Sequence, residues 1–400
     1  MRSRPVVIPP LADRLKKLPP YLFVQIDVLK EQVLKEGKEV IDMGVGDPDA
    51  PTPRFILEAM VKALKDEKNH RYPTNRGLDL FREAIARWYK KRFGVTLDPS
   101  TEILPLIGSK EGIAHLPLAF VNPGDRVLIP DPCYPPYRTG TLLAGGRPVN
   151  VPLLAKNRFL PDLTALNGRT QKAKLFFLNY PNNPTSAVAD LSFFRNLVLF
   201  AHRNRVPICH DAAYSEIYFD GVRPPSFLQV PGAKEVGIEF HSLSKTFNMT
   251  GWRVGWVCGN REMISALAKV KSNIDSGVFQ AIQIAGVRAL KNPDIHRKRM
   301  IKLYQARRDL IVQALRKGGW PVSAPKATFY LWTPIPPGRR SKEVAALLLR
   351  KEGIVATPGI GFGDHGEGYI RFSLSVPTPI LRQAAKRIRR LSLWRSPSSA

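Results

Sequence analysis

Cysteine is scarce in this chain of 400 residues: Cys133, Cys209 and Cys258 are the only three. They form no CxxC pair and no repeated spacing. That argues against a disulfide framework or a thiolate zinc site and points to a reducing, cytoplasmic setting. Seven histidines are scattered without an HxxxH pair, so no metal site is expected. No apolar run approaches the length of a membrane span. The basic start "MRSRPVVIPPLADRLKK" lacks the apolar stretch of a secretory signal. Acidic residues are also in short supply: 33 Asp and Glu stand against 61 Lys and Arg, a net charge of +28. Such a surplus would suit nucleic acid, an acidic membrane or the steering of anionic substrates. The cations are spread along the chain, however, and no nucleic-acid-binding motif is present. The densest cluster, "RQAAKRIRRLSLWR" (Arg382 to Arg395), reads as a basic amphipathic helix. A solvated basic surface is expected, with neither a dedicated nucleic-acid partner nor a membrane.

The chain is long enough for two domains at ~150 residues each, and its 44% hydrophobic content suits a folded globular protein. Apolar runs alternate with helical stretches: "RVLIP" (126–130), "KLFFLNY" (174–180), "VPICHD" (206–211), "GIEFHS" (237–242) and "RVGWVCG" (253–259). Runs of this kind, without polar alternation, are strands buried on both faces. They predict an α/β fold with a mostly parallel sheet covered by helices. Helices are expected near 24–36, 54–67 and 78–93. A long one over 294–317 leads to a smaller α+β part carrying "TFYLWTPI", a helix at 341–352, "GIVATPG" and "YIRFSLSV". The expected division is a large domain of residues 46–295 and a discontinuous small domain of residues 1–45 plus 296–400, built from the N-terminal arm and the C-terminal part.

Polar residues gather where the strands end, which is where open α/β sheets bind ligands. In "HSLSKTFNMTGWRVGW" (241–256), Lys245 follows a buried strand and stands among hydroxyls, with Arg253 eight residues on. A partly desolvated lysine can serve as a nucleophile. Ser242, Ser244 and Arg253 would suit a phosphate dianion, although capping serines in an ordinary strand–loop–strand would read the same way. "IGSKEG" puts Ser109 and Lys110 at a helix N-terminus, a ready anion site. Asn183 lies in a Pro-flanked loop that could also be a plain turn. Asp211 ends a buried strand with Tyr214 three residues on, as a partnered carboxylate or as a cap. Arg371 lies inside the apolar "YIRFSLS", either in a buried ion pair or awaiting a carboxylate.

Together these residues resemble the fold-type I, pyridoxal-phosphate-dependent aminotransferases of the aspartate aminotransferase superfamily, over nearly the whole chain. More narrowly, "LPPYLF", "IDMGVGDPDAPTP", "RYPTNRG", "DPCYPPY", "YPNNPT", "HDAAYSEI", "SKTFNMTGWRVGW", "SGVFQAIQ" and "GYIRFSLSVP" resemble the LL-diaminopimelate aminotransferases. The resemblance implies pyridoxal 5'-phosphate as cofactor, held by Lys245 as an internal aldimine, with Asp211 on the pyridine nitrogen. It implies Tyr214 and Asn183 on the phenolic oxygen, Tyr134 stacked on the ring, and Ser109, Lys110, Ser242, Ser244 and Arg253 around the phosphate. Tyr72 would reach the phosphate of the other subunit, so a homodimer with shared active sites is implied. Arg371 would grip the substrate α-carboxylate, with Gly46, Tyr21, Asn183 and Gln280 on the substrate side. The implied reaction is transamination between tetrahydrodipicolinate and glutamate, giving LL-diaminopimelate and 2-oxoglutarate for lysine biosynthesis. Aminotransferases of aspartate, alanine or aromatic amino acids share the cofactor residues, and a basic nucleic-acid-associated protein that lost catalysis is the remaining alternative. Three positions depart from the family pattern: Ser186 where glycine is common, Cys133 where a small glycine is common, and Ile360 where relatives are often polar. If residue 186 needs a positive φ, serine is strained there.

Overall fold

The computed structural model describes residues 8–18, 24–166, 172–291, 293–391 and 393–394. Its main sheet contains β2 (Ile103–Leu106), β3 (Arg126–Asp131), β4 (Arg147–Pro152), β5 (Ala173–Asn179), β6 (Ile208–Asp211), β7 (Gly237–Ser242) and β8 (Gly255–Gly259), in the spatial order β2-β8-β7-β6-β5-β3-β4. The pairs β4/β3, β3/β5, β5/β6 and β6/β7 are parallel, and β8 runs antiparallel to both β7 and β2. The mostly parallel sheet expected from the apolar runs is therefore present. The two edge strands, β2 and β4, were not anticipated: each carries proline (Pro105; Pro148 and Pro152), which a sheet tolerates at its edge.

Alternation along each strand sends side chains to two separate layers. Val127, Ile129, Leu175, Phe177, Cys209 and Val257 pack on one face with Leu116, Tyr137, Ile264 and Leu267. Leu128, Phe176, Leu178, Ile208 and Trp256 pack on the other with Ile85, Trp88, Phe194, Leu197 and Ala285. Both faces are apolar because both are covered by helices, which is why these strands read as unbroken hydrophobic runs.

The C-terminal part has its own core. β9 (Tyr330–Pro334), β12 (Tyr369–Ser373) and β11 (Thr357–Pro358) form an antiparallel sheet, and β1 (Ile41–Asp42) pairs in parallel with β10 (Ile354–Val355). The helices Asp294–Lys317 and Thr378–Arg390 cover this part, with Tyr304, Ile311, Leu315, Leu331, Ile370, Phe372, Leu381 and Ile388 in the core. The basic C-terminal helix thus spends its apolar stripe (Leu381, Ala384, Ala385 and Ile388) inside the protein. We propose that the two cores mark the domains drawn from the sequence, residues 46–295 and residues 1–45 with 296–400. Ala213, Tyr214, Ile217 and Phe219 of the first reach into the core of the second. Among the described residues no helix is long and apolar enough to cross a membrane.

Residue 186 does require a left-handed backbone: Ser186 has φ 61° and is buried. Its Oγ lies 2.7 Å from Thr328 Oγ1 and donates to the carbonyl of Tyr330 at 2.9 Å, tying the 179–187 loop to β9. The hydroxyl offsets the conformational cost. Ser186→Ala keeps the strain and loses both bonds, so it should lower unfolding free energy by about 1–3 kcal/mol. Ser186→Gly relieves the strain and should recover about 1 kcal/mol of that. Denaturant unfolding of the two variants measures the difference, and an alanine variant as stable as the glycine variant would refute it.

Candidate active site

A cavity of about 900 Å³ opens where the C-terminal ends of β5, β6 and β7 meet strands β9 and β12. This is within the range of small-molecule and cofactor sites (~300–1,000 Å³). Ser109, Lys110, Tyr134, Asn183, Asp211, Tyr214, Ser242, Ser244, Lys245, Arg253, Arg371 and Gly46 all line it. Two other expected positions do not. Tyr72 is 87% exposed and outside the cavity. Gln280 is also outside, its Nε2 donating to the carbonyls of Lys68 and Arg71 at 3.3 and 3.1 Å and so holding the segment that carries Tyr72. Tyr21 lies outside the described residues.

Lys245 sits in the one-turn helix Leu243–Thr246 that follows β7, capped by the Ser242 hydroxyl, which accepts from the Ser244 amide at 3.1 Å. Its Nζ donates to the Gly46 carbonyl at 2.9 Å and faces the Phe329 ring at 5.8 Å. Burial, aided by the positive charges of Arg253 and Arg371, lowers its pKa to about 8, with Asp47 and Asp211 acting the other way. A free amine near neutrality is a nucleophile and a base.

Asp211 and Asn179 end neighbouring strands in register. The Asn179 amide donates to the Asp211 carbonyl at 2.7 Å, while its oxygen accepts from the Asn183 backbone at 2.7 Å, fixing the loop after β5. The Asp211 carboxylate accepts from Tyr137 Oη at 2.8 Å and from the Ala213 amide at 3.2 Å. Burial raises its pKa in spite of these two bonds. Among the described residues no cation pairs with it. A protonated ring nitrogen in the cavity would supply the missing charge.

At the other side, the Arg253 guanidinium lies against Gly108, where a Cβ would fall 2.2 Å from Nη2. Only glycine permits that approach, at φ 73° directly before the helix Ser109–Phe120. The N-terminal amides of this helix, Arg253, Lys110 and the hydroxyls of Ser109, Ser242 and Ser244 therefore converge. Ser244 Oγ is buried without a partner. These groups fit a phosphate.

Arg371 is buried on β12. Its Nη1 donates to Asn183 Oδ1 at 2.8 Å and its Nη2 to the Gly44 carbonyl at 2.6 Å, while Nε has no partner. Burial lowers its pKa. Of the two sequence readings, an internal ion pair is not what is found. Among the described residues no carboxylate pairs with this guanidinium.

Several residues of the site were not anticipated. Tyr137, which donates to Asp211 from behind the cavity wall, lies three residues after Tyr134 in a motif already quoted, so its spacing was a usable signal. Tyr330 and Phe362 line the cavity from apolar segments and read as core. Ile360 lines the far wall with Leu29, Ala345, Ala346 and Leu349, where Lys342 adds a charge. Cys133 is buried, its thiol pushed up to about 12 chiefly by burial, and its amide donates to the Phe362 carbonyl at 2.9 Å.

The family model for aminotransferases of class I and II matches residues 38–388. The chain is 55% identical over 379 residues to the LL-diaminopimelate aminotransferase of Desulforudis audaxviator, covering 94% of this chain and 97% of that one. Among solved structures, substrate-bound BacF from Bacillus subtilis aligns with TM-score 0.91 at 37% identity, over 98% of this chain and 100% of that one. An aspartate aminotransferase mutant from Thermus thermophilus aligns with TM-score 0.89 at 27% identity, over 96% and 100%.

The lowered lysine pKa can be tested without any cofactor. In cofactor-free protein, borohydride trapping of an aromatic aldehyde at Lys245 should rise with a midpoint near pH 8, since only the neutral amine reacts. Surface lysines, with pKa values around 10.4, should lag by about two pH units. Arg371→Gln removes a positive charge and should move the midpoint up. Peptide mapping after trapping reads the profile, and a Lys245 midpoint near 10 would contradict the assigned environment.

Proposed function

The chain belongs to the class I and II aminotransferases, and from that membership we propose that it exchanges nitrogen between LL-2,6-diaminopimelate and 2-oxoglutarate. In the biosynthetic direction, tetrahydrodipicolinate, glutamate and water give LL-diaminopimelate and 2-oxoglutarate, on the route to lysine. The observation that carries this reading is the cavity in which Lys245, Asp211 and Arg371 face one another without internal ion pairs. Its neighbour in support is 55% identity to a relative of that name over almost the full chain.

The residues fit pyridoxal 5'-phosphate: an orphaned serine hydroxyl and an arginine at a helix N-terminus for the phosphate, and a buried carboxylate short of a cation for the ring nitrogen. When bound, the cofactor supplies the electron sink that acidifies the substrate Cα–H. Asp211 would keep the ring nitrogen protonated. Tyr214 Oη and the Asn183 amide would donate to the phenolic oxygen, the Asn183 carbonyl oxygen being already taken by Arg371. Tyr134 would cover one ring face. Arg371 would hold the α-carboxylate, and Lys245 Nζ would take the proton from Cα and return one during the exchange.

We also propose a homodimer in which Tyr72 serves the phosphate of the neighbouring copy. Tyr72 has no role in its own cavity, and Leu57, Val61 and Leu64 are exposed on the helix Arg54–Leu64. The three cysteines are free and buried, which suits a cytoplasmic protein.

Two outcomes follow from this reading. The kcat/KM for LL-diaminopimelate should exceed that for aspartate or alanine by at least ~100-fold, about 3 kcal/mol of transition-state binding, because a site that pairs the distal ammonium and carboxylate rejects substrates lacking them. Steady-state assays with 2-oxoglutarate measure this, and faster turnover of aspartate or an aromatic amino acid would reassign the substrate to a sister aminotransferase. Secondly, Lys245→Ala chains mixed with Tyr72→Ala chains should regain activity, since each hybrid has one site with both groups intact. No recovery after demonstrated subunit exchange would place Tyr72 outside the shared site.

A further inference from the structure

Tyr330 touches three parts of the cavity that the proposed reaction must coordinate. Its ring centre lies 4.3 Å from Arg371 Cζ, and Phe362 makes a second ring contact with the same guanidinium at 4.6 Å. Its hydroxyl lies 3.0 Å from the hydroxyl of Tyr214. The same hydroxyl packs on Gly46, where a Cβ would fall 1.9 Å away, and Gly46 supplies the carbonyl that accepts from Lys245. The tyrosine is itself held on both sides: its amide donates to Thr328 Oγ1 at 3.0 Å and its carbonyl accepts from Ser186. Ser186 and Asn183, the latter a partner of Arg371, belong to one loop.

We propose that Tyr330 is a positioning residue for the transamination, its ring orienting the Arg371 guanidinium and its hydroxyl polarising Tyr214. The inference rests on the functional reading above. The ring acts because Arg371 has no carboxylate of its own. A guanidinium stacked on an aromatic face is attracted to it and loses its freedom to rotate, so its N–H fork is aligned before a carboxylate arrives. The hydroxyl acts through direction. A Tyr214 proton given to the phenolic oxygen of the cofactor cannot also be given to Tyr330, so the 3.0 Å contact must then run from Tyr330 to Tyr214. A hydroxyl that accepts one bond donates the next more strongly. Gly46 lets the second tyrosine come this close.

Two substitutions separate the two roles, with thermal melts to establish that both variants fold. Tyr330→Phe keeps the ring and removes the hydroxyl. It should lower kcat about tenfold, leave KM for both acids within about twofold, and raise the pH midpoint of the bound cofactor's absorbance band by about half a unit or more. Tyr330→Leu removes the ring as well. It should also weaken glutarate binding to the cofactor-free protein about tenfold by calorimetry, whereas Tyr330→Phe should leave that affinity within about twofold. An unchanged absorbance midpoint in Tyr330→Phe overturns the role of the hydroxyl, and unchanged glutarate affinity in Tyr330→Leu overturns the role of the ring. The calorimetric comparison needs no cofactor. A wild type that binds glutarate but takes up no pyridoxal phosphate would therefore refute the functional reading without deciding against the ring.

Discussion

A guanidinium buried with no carboxylate among the described residues is the constraint around which the two cores meet. Arg371 enters from β12, and its acceptors are the Gly44 carbonyl, the Thr357 hydroxyl and, from the loop after β5, Asn183. Leaving such a charge wholly unpaired in a dry interior would cost several kcal/mol. The fold satisfies two of its nitrogens with neutral oxygens and covers it with two aromatic rings. These partners stabilise the charge less than a carboxylate would, and that shortfall is what a substrate can supply. Moving the loop after β5 away would strip Nη1 of its acceptor, so the geometry of the cavity and the packing of the two cores are a single problem.

Lys245 and Asp211 show the same deficit. Burial pushes Lys245 down to about 8, raises Asp211 and lowers Arg371. In each case burial disfavours the charged form, and among the described residues no opposite charge is paired with it. A ligand that carries a phosphate dianion, a protonated ring nitrogen and a carboxylate would neutralise the deficits together. Occupancy and folding are then linked: at a hundredfold excess over its dissociation constant such a ligand adds about 2.7 kcal/mol of stability. The same electrostatic mismatch therefore gives affinity, specificity for anions of the right spacing, and dependence of stability on the ligand.

The polar residues that gather at the cavity stood out in the sequence because they break local rules. Lys245 among hydroxyls at a strand end, Asp211 closing an apolar strand and Arg371 inside one are each costly unless a partner exists. Tyr330, Phe362 and Tyr137 break no rule. An aromatic residue in an apolar run is what a core requires, and only the tertiary contact with Arg371 or Asp211 distinguishes them. The edge strands escaped for the opposite reason, since proline in β2 and β4 reads as interruption. Tyr72 and Gln280 were singled out through family resemblance, and a single chain places both outside its cavity. Sequence patterns record local exceptions well. They record poorly what two domains, or two copies, build between them.

Two buried carboxylates on neighbouring strands illustrate how the protein separates structural charge from functional charge. Glu239 on β7 is fully buried and pairs in register with His210, the residue before Asp211. Its oxygens accept from Tyr89, Ser226, His241, His210 and the Phe227 amide, all within 3.0 Å. Burial opposes its ionisation, yet the bonds from His210 and His241 hold it below the usual carboxylate range. Asp211, with two donors, is moved the other way. The difference is one of satisfaction: five donors close the valence of Glu239, and it joins β6, β7 and the helix carrying Tyr89 without offering anything to a ligand. Asp211 retains unused acceptor capacity at the cavity wall. Adjacent positions of one sheet thus differ in function because one carboxylate finds every partner within the chain and the other does not.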